Sequence, residues 1–297
     1  KSNLLKMNLK MHILKIDTYE NRKICCQIFE SGSSSVILII ASAMGVKQSF
    51  YQGFSEFAEA NGISVITFDY SGIGNSLNEN IKDNKDFLSS WGDRDLEAVI
   101  KYSIENFPNH KKVVLGHSIG GQLIGLAPSS VDLDKIILMS AQSGYWGFWK
   151  GVNKVKMFFN WHLLFPILTY FIGYMPSKKI SKMENIPKNV AEEWAKWCRN
   201  PNYLFDYISE DKTFFNKIKC KITSVSFDDD FFAPKKSVDW LSGKFKNAEL
   251  KRKHFFPSDF NVSKIGHFDV FKSDFKNSIW KFLLEETLIT KSNFNTQ

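Results

Sequence analysis

The chain has 297 residues, of which 43% are hydrophobic, and carries a formal net charge of +8. This composition is that of a globular protein with one or two domains, and it excludes a disordered or fibrous chain. Four cysteines are too few for a disulfide framework and lack metal-ligand spacing, so we expect reduced thiols in a cytoplasmic protein. The first residues are too polar for the apolar region of a secretion signal, and secretion is not expected.

Short apolar segments along the chain predict strands that are buried on both faces, as in a parallel sheet. They lie at residues 36–40, 63–68, 113–116, 135–140 and 221–227. The longer amphipathic segments between them predict crossover helices at residues 48–60, 83–106 and from 122 onwards. Ahead of these, residues 12–17 and 22–30 predict an antiparallel hairpin at the edge of the sheet. This alternation predicts an α/β fold with a mostly parallel, twisted sheet.

The alternation of strands and helices stops at residue 143. The following stretch reads as helices at 150–160, 161–174 and 188–199, with prolines between them. We therefore predict a helical lid, residues 144–215, inserted between the sixth and seventh strands. Residues 1–143 and 216–297 would then form the core.

Residues 157–175 are 19 residues without a formal charge, which is close to the length that spans a membrane. Polar residues and a proline interrupt the apolar character of this segment. A membrane span here would also place the strands of the predicted sheet on opposite sides of the bilayer. We expect an apolar lid over a pocket, and peripheral contact of this lid with a membrane or lipid stays open as an alternative.

Much of the positive charge lies in the same region. Residues 145–221 hold 13 Lys or Arg against 6 Asp or Glu, and also five of the eight tryptophans. Such a segment could meet nucleic acid, an anionic lipid surface or an acidic substrate. We interpret the lysines as a solvated face of the lid and expect no nucleic-acid partner.

The segment VVLGHSIGGQL, residues 113–123, contains the pattern G-x-S-x-G. A buried strand leads into it and a helix-compatible run leads out, which is the context of a nucleophile on a sharp strand-to-helix turn. Glycines two positions before and after Ser118 avoid collision with the neighbouring backbone. We predict that Ser118 is a nucleophile, and the alternative is a glycine-rich cap of a strand.

A nucleophilic serine needs a base, and the base needs an orienting acid. His267 follows a glycine in a loop before the last amphipathic helix, so we predict that it is the base. Three consecutive aspartates, residues 228–230, follow the strand at 221–227. They would repel each other if all were buried, so one is expected to face the site and two to face water or backbone N–H groups. Asp230 is preferred as the acid, with Asp229 as the alternative.

The order Ser, Asp, His along the chain is that of the α/β-hydrolase fold, and ligands bind at the carboxyl ends of strands in such sheets. An oxyanion formed in acyl transfer needs two backbone N–H donors. One donor follows the serine, at Ile119, and the other is expected at Met44, in the loop after the strand at 36–40. A carboxylate metal site at residues 228–230 is disfavoured because no His or Cys lies at a supporting spacing.

These motifs together resemble a largely uncharacterised bacterial group of predicted α/β hydrolases, related at greater distance to serine aminopeptidases and lysophospholipase-like esterases. The resemblance covers residues 11–285 and is carried by the segments 42–51, 68–76, 91–96, 116–123, 143–146, 192–205, 226–234 and 265–271. It implies the triad Ser118, Asp230 and His267 with Met44 and Ile119 as oxyanion donors. The sequence departs from the usual pattern where Ser42 and Ala43 stand in place of His-Gly.

The expected function is that of a serine hydrolase, without cofactor or metal, that cleaves an ester or related acyl bond of a small, partly hydrophobic substrate. Trp146, Trp161 and His162 of the lid are expected to bind this substrate. Two alternatives stay open: a non-catalytic scaffold that binds a ligand or partner through the lid, and an acyltransferase that uses the same triad.

Overall fold

The computed structural model describes residues 11–179, 181 and 183–288. Its strands are β1 (Met11–Asp17), β2 (Lys23–Phe29), β3 (Val36–Ala41), β4 (Ser64–Phe68), β5 (Lys111–His117), β6 (Lys135–Met139), β7 (Tyr174–Met175), β8 (Ile186–Pro187), β9 (Lys221–Phe227) and β10 (Leu250–Phe255). Eight of them form one sheet in the order β1-β2-β4-β3-β5-β6-β9-β10. β2 runs antiparallel to both of its neighbours in this sheet. The other six neighbouring strands, β4, β3, β5, β6, β9 and β10, are parallel to one another. The predicted hairpin and mostly parallel sheet are therefore confirmed.

The central strands are apolar throughout because both faces of the sheet are covered. In β3, Ile37 and Ile39 join a cluster that includes Val99 on one face. The alternating residues Leu38 and Ile40 pack on the other face with apolar side chains of the first and last helices. Side chains of a strand alternate between the two faces, so two buried faces require a continuous apolar run rather than an alternating one.

The helices are α1 (Gln52–Ala60), α2 (Leu88–Ser90), α3 (Glu97–Asn106), α4 (Ile119–Leu123), α5 (Gly151–Phe159), α6 (Phe165–Ile172), α7 (Lys188–Cys198), α8 (Lys235–Ser242) and α9 (Ile279–Thr287). π-helical turns join α2 to α3 at Trp91–Leu96 and α5 to α6 at Asn160–Leu164. The helix expected at 83–106 begins only at Leu88. The reason is that Asp86 is buried and accepts hydrogen bonds from Ser71 and Arg94, which hold the preceding residues in a loop.

The segment between β6 and β9 contains α5, α6 and α7, close to where the sequence predicts helices. We call residues 144–215 the insertion; their assignment as a separate lid domain stays a prediction. The antiparallel pair β7–β8 is an addition that the sequence did not predict. Each of these strands has two residues, which is too short for any periodic pattern.

One carboxylate joins the last helix to three neighbouring strands. Glu286 of α9 is 7% exposed and accepts hydrogen bonds from Lys135 of β6 at 2.9 Å and Thr223 of β9 at 2.7 Å. Lys251 of β10 also donates to it. Burial alone would raise the pKa of Glu286, but these three partners outweigh burial and lower it from 4.5 to about 2. The carboxylate therefore holds α9 against the sheet in its ionised form.

Replacement of this carboxylate by an amide should destabilise the protein in a pH-dependent way. We expect Glu286→Gln to reduce the free energy of unfolding near neutral pH by about 2–3 kcal/mol. Because the folded-state pKa is depressed, this contribution is complete above 4.5 and is lost as the pH falls towards 2. Urea unfolding of both proteins across this range measures the difference.

Glu249→Gln serves as the matched control, because the Glu249 side chain is 73% exposed and its pair with Lys221 spans 3.7 Å. It should leave the unfolding free energy unchanged within about 0.5 kcal/mol. A difference in unfolding free energy between wild type and Glu286→Gln that stays constant as the pH falls from 4.5 to 2 would contradict a stabilising role of the ionised carboxylate.

Candidate active site

Ser118 occupies the junction between β5 and α4 with an unusual backbone conformation. Its φ is 54° and its ψ is −118°, in a region that side-chain-bearing residues rarely adopt. The turn is held by the amide of Ser118, which donates to the carbonyl of Met139 at 2.9 Å. Strain of this kind persists only where the surrounding structure imposes it, and it concentrates at functional sites.

The predicted glycines are required because α4 lies directly against the sheet. A Cβ atom on Gly116 would come within 2.4 Å of the Cα atom of Gly121, and one on Gly120 would come within 2.1 Å of the Ala41 carbonyl oxygen. Both contacts are with backbone atoms that cannot rotate away. The two glycines of the G-x-S-x-G pattern therefore allow α4 to pack closely on the sheet without collision with the backbone, as the sequence predicts.

His267 and Asp230, from two different loops, meet beside this turn. The Nδ1 atom of His267 lies 2.8 Å from Asp230 Oδ2, and the two side chains are 4% and 0% exposed. The other oxygen of Asp230 accepts the N–H groups of Phe232 at 2.9 Å and Ala233 at 3.1 Å. Burial would raise the pKa of Asp230, but the adjacent His267 and these hydrogen bonds hold it below its ordinary value. The carboxylate is thus ionised and aimed at one nitrogen of the imidazole.

The three consecutive aspartates take the different environments that their mutual repulsion predicts. Asp230 faces His267, whereas Asp229 accepts the backbone N–H groups of Ile265 at 2.8 Å and Gly266 at 3.0 Å. Asp228 is 57% exposed at its side chain. Asp229 therefore fixes the start of the loop that carries His267, which is a role the sequence left open.

Ser118 and His267 line the same cavity, which has a volume of about 720 Å³. Its wall is largely aromatic and aliphatic and includes Trp149, Met157, Trp161, Phe165, Trp194 and Phe232. Among the residues that the structure describes, no hydrogen bond joins the Ser118 hydroxyl to the His267 ring. Ser118 and His267 thus share one space, and the aspartate lies behind the histidine.

The two backbone groups expected as oxyanion donors flank Ser118. Met44 lines the cavity, and Ile119 is the buried first residue of α4. Neither N–H group donates to another residue in the described part of the chain. The loop that carries Met44 is fixed at its far end, where Asp69 accepts the N–H of Gln48 at 2.7 Å.

Of the three lid residues expected at the substrate, only Trp161 lies on the cavity. Trp146 and His162 are not among the residues that line it, and their role in substrate binding stays a prediction. His162 stacks on Phe158 at 4.0 Å between ring centroids, and Trp146 contacts the edge of the same Phe158 ring. Both rings therefore pack against Phe158, which does not line the cavity either.

The sequence did not predict a buried hydrogen-bond chain behind the site. The N–H of Ala43 donates to the Tyr51 hydroxyl at 2.9 Å, and this hydroxyl lies 2.8 Å from His117 Nδ1. The other ring nitrogen of His117 donates to the carbonyl of His267 at 2.9 Å. Burial, with His267 nearby, lowers the pKa of His117 to about 3, so the ring is neutral and Nδ1 accepts from Tyr51.

This chain ties the loop of Met44 to the loop of His267 through the residue before Ser118. Its members are separated by 66 and 150 positions in the sequence. A histidine that points away from the cavity could be recognised from its place next to Ser118, but its partners could not.

Within residues 11–179, 181 and 183–288, no cluster of three or more His, Cys, Asp or Glu side chains could hold a metal ion. What the arrangement can do is hold the imidazole of His267 between an ionised carboxylate and the cavity that Ser118 also lines, which is the placement that proton transfer to and from the serine requires.

The hydroxyl of Tyr51 should contribute measurably to stability. Tyr51→Phe leaves the Ala43 N–H and His117 Nδ1 buried without partners, and we expect the free energy of unfolding to fall by about 2–3 kcal/mol. Tyr70→Phe is the control: Tyr70 is also buried, and among the described residues its hydroxyl has no partner. Chemical denaturation should show no loss for Tyr70→Phe, and an equal loss for both variants would contradict a role of the chain.

Comparison with solved structures supports the same fold. The chain is similar to the esterase Pf2001 of Pyrococcus furiosus, with 17% identity and a TM-score of 0.57 over 93% of this chain and 91% of that one. It is similar to a thermostable carboxyl esterase of Bacillus coagulans, with 13% identity and a TM-score of 0.58 over 94% and 99%. Est1E of Butyrivibrio proteoclasticus matches with 15% identity and a TM-score of 0.56 over 92% and 98%.

No curated protein matches the sequence. The family model described as serine aminopeptidase, S33, matches residues 32–219, which is more than half of the chain. This match covers the turn at Ser118 and the whole of the insertion, and it agrees with the resemblance seen in the motifs. The chain therefore belongs to the serine aminopeptidase S33 family of α/β hydrolases.

Proposed function

We propose that the protein is a serine hydrolase that cleaves an ester or related acyl bond through Ser118, His267 and Asp230. The observation that carries the proposal is the strained Ser118 turn, which opens into the same cavity as an imidazole backed by a buried, ionised aspartate. An acyl-enzyme mechanism needs a serine, a base that can reach it and a group that fixes the base.

In the proposed reaction, the carboxylate of Asp230 accepts a hydrogen bond from the Nδ1–H of His267 and stays ionised, so the other ring nitrogen is free to act as the base. It takes the proton of the Ser118 hydroxyl while the oxygen attacks the acyl carbonyl. The N–H groups of Met44 and Ile119 stabilise the oxyanion of the tetrahedral intermediate. His267 then gives its proton to the leaving alcohol, and water cleaves the acyl-enzyme with the same histidine as base.

The cavity wall supports an apolar acyl group as the part of the substrate that it binds. Trp149, Trp161 and Phe165 line the space above Ser118 and offer apolar contact area. Esters are the substrates of the similar proteins named as esterases, and the similar Est816 is described as degrading N-acyl homoserine lactones, which also carry an acyl chain and an ester bond. We therefore propose a small acyl ester or lactone as the substrate class.

A fluorophosphonate probe tests the nucleophile directly. The wild-type protein should be labelled at Ser118, and Ser118→Ala should abolish labelling, because only a serine activated by a base reacts with this phosphorus centre. Ser177→Ala is the matched control, since Ser177 is a second buried serine on the same cavity and should leave labelling intact. Labelling that survives in Ser118→Ala, or that is absent from the wild type, would sink the proposal.

The two neighbouring aspartates allow the orienting acid to be tested. Asp230→Asn should lower kcat/KM for a p-nitrophenyl ester by about 10³–10⁴-fold. The reason is that a neutral amide does not favour the tautomer of His267 that carries its proton on Nδ1, and this tautomer leaves the other nitrogen free to act as the base. Asp229→Asn keeps one side-chain oxygen that can accept the backbone N–H groups of Ile265 and Gly266. We therefore expect kcat/KM to fall by at most about tenfold in this variant. A larger loss for Asp229→Asn than for Asp230→Asn would reverse the assignment.

Product analysis separates hydrolysis from transfer. With an ester substrate and an added alcohol, a hydrolase releases mainly the free acid, whereas an acyltransferase forms mainly the new ester. The apolar cavity supports binding of the acyl group in either case, so the ratio of products decides between them.

A further inference from the structure

The helix Gly151–Ile172 exposes a line of large apolar side chains along its whole length. They recur at intervals of three or four residues, and we call them the exposed stripe: Val152, Val155, Phe159, Leu163, Ile167 and Phe171. Their exposed fractions range from 46% to 83%. Soluble monomers rarely expose contiguous apolar patches of this kind unless the patch binds something.

The opposite face of the same helix is also apolar and is buried. Met157, Trp161 and Phe165 are 3% to 7% exposed and pack in the core of the protein. A helix at the surface of a soluble protein ordinarily buries one apolar stripe and presents polar residues to water. Here both faces are apolar, so packing in the core accounts for only one of them.

The charged side chains on the helix itself and just beyond its two ends are all positive. Residues 135–183 contain no Asp or Glu, while Lys150 and Lys154 lie at the start of the helix and Lys178 and Lys179 follow its end. Lys178 pairs with Glu184 at 3.0 Å. The other three lysines form no ion pair within the part of the chain that the structure describes. Exposed apolar residues flanked by unpaired lysines complement the surface of an anionic bilayer.

The same charges disfavour a second copy of the chain as the occupant. A symmetric dimer would bring the stripe of one copy against that of the other, together with the lysines at both ends. No carboxylate between residues 135 and 183 is available to pair with them. Lipid phosphates provide the negative charge that this surface itself lacks.

The exposed stripe is continuous with the wall of the cavity. Phe159, Leu163 and Ile167 belong to the stripe and also line the cavity that contains Ser118. If the stripe contacted a bilayer, a molecule whose acyl chain lies in the outer part of that bilayer would therefore contact the wall of the cavity directly.

The helix is attached to the rest of the protein at both ends, which fits a helix that rests on a surface and does not cross a bilayer. By length and composition alone it could span a bilayer, and 22% of its most apolar stretch is buried. Trp149, just before the helix, donates from Nε1 to the Phe231 carbonyl at 2.9 Å. Near its end, Thr169 donates to Glu192 of α7 at 3.1 Å. A span would break these contacts and expose the buried face.

We propose that the exposed stripe docks on an anionic lipid surface, and that the cavity draws from this surface an ester whose acyl chain partitions into the bilayer. The docking depends only on the stripe and its lysines. The second part, the class of substrate, rests on the proposed hydrolase function.

Vesicle co-sedimentation tests the docking. Wild-type protein should bind phosphatidylcholine vesicles that contain phosphatidylglycerol, and Val155→Ser with Phe171→Ser should weaken this binding at least about tenfold. Neither residue lines the cavity, so turnover of a soluble short-chain ester should be unchanged. Ile13→Ser is the matched control, because Ile13 is an apolar residue of β1 that is also 60% exposed but lies outside the stripe. This variant should bind vesicles as the wild type does.

The charge requirement has its own variant. Lys150→Gln with Lys154→Gln should reduce affinity for the anionic vesicles by about fivefold for each lysine, and the difference should disappear at high salt. Absence of wild-type binding to both anionic and neutral vesicles would overturn the docking proposal. A wild-type dimer that Val155→Ser with Phe171→Ser converts to a monomer would overturn it in favour of a second copy.

The link to the substrate is tested separately from catalysis. Ser118→Ala should bind the vesicles as the wild type does, so a failure of the proposed hydrolase function leaves the docking result intact. With a long-chain ester presented in the vesicles, Val155→Ser with Phe171→Ser should lose most of its turnover while keeping that of the soluble ester. Equal turnover of the vesicle-bound ester by this variant and the wild type would overturn the proposed route of entry.

Discussion

At Ser118 the chain turns from β5 into α4 in a left-handed conformation that local preference opposes. The turn is kept because α4 packs against the sheet through Gly116, Gly120 and Gly121, where an added Cβ would strike its neighbours at 2.5 Å or less. This contact raises the serine side chain above the carboxyl ends of the strands. It also places Ile119, the residue directly after the serine, at the start of α4. The strain at Ser118 is thus balanced by close packing of α4 on the sheet, which is possible because these three residues have no side chain.

The loops around this turn are held by groups that do not face the cavity. Tyr51 and His117 join the loop of Met44 to the carbonyl of His267, and Asp229 holds the two N–H groups just before that histidine. Because burial keeps His117 neutral, it presents one donor and one acceptor, which is what its two partners require. The positions of His267 and Met44 relative to Ser118 therefore depend on one connected set of buried hydrogen bonds.

Much of the architecture could be predicted from the sequence because its signals are local. Apolar runs of four to seven residues identify strands covered on both faces, and G-x-S-x-G between a strand and a helix identifies the turn at Ser118. The separation of Asp228, Asp229 and Asp230 into different environments followed from charge repulsion alone. The partners of His117 lie 66 and 150 positions away along the chain, and no pattern in the sequence reports contacts between such distant loops.

The insertion was harder to interpret for a related reason. Its long helix carries large apolar side chains on both its buried and its exposed face, so the apolar pattern does not indicate which face is buried, and the sequence could not separate Trp161 from His162. The structure distinguishes the two faces through contacts with the core. Trp149 donates to the Phe231 carbonyl, and the N–H of Phe232 donates to Asp230. The start of the insertion is thus bonded to the turn that orients Asp230, so whatever contacts the outer face of the helix acts close to the aspartate and histidine.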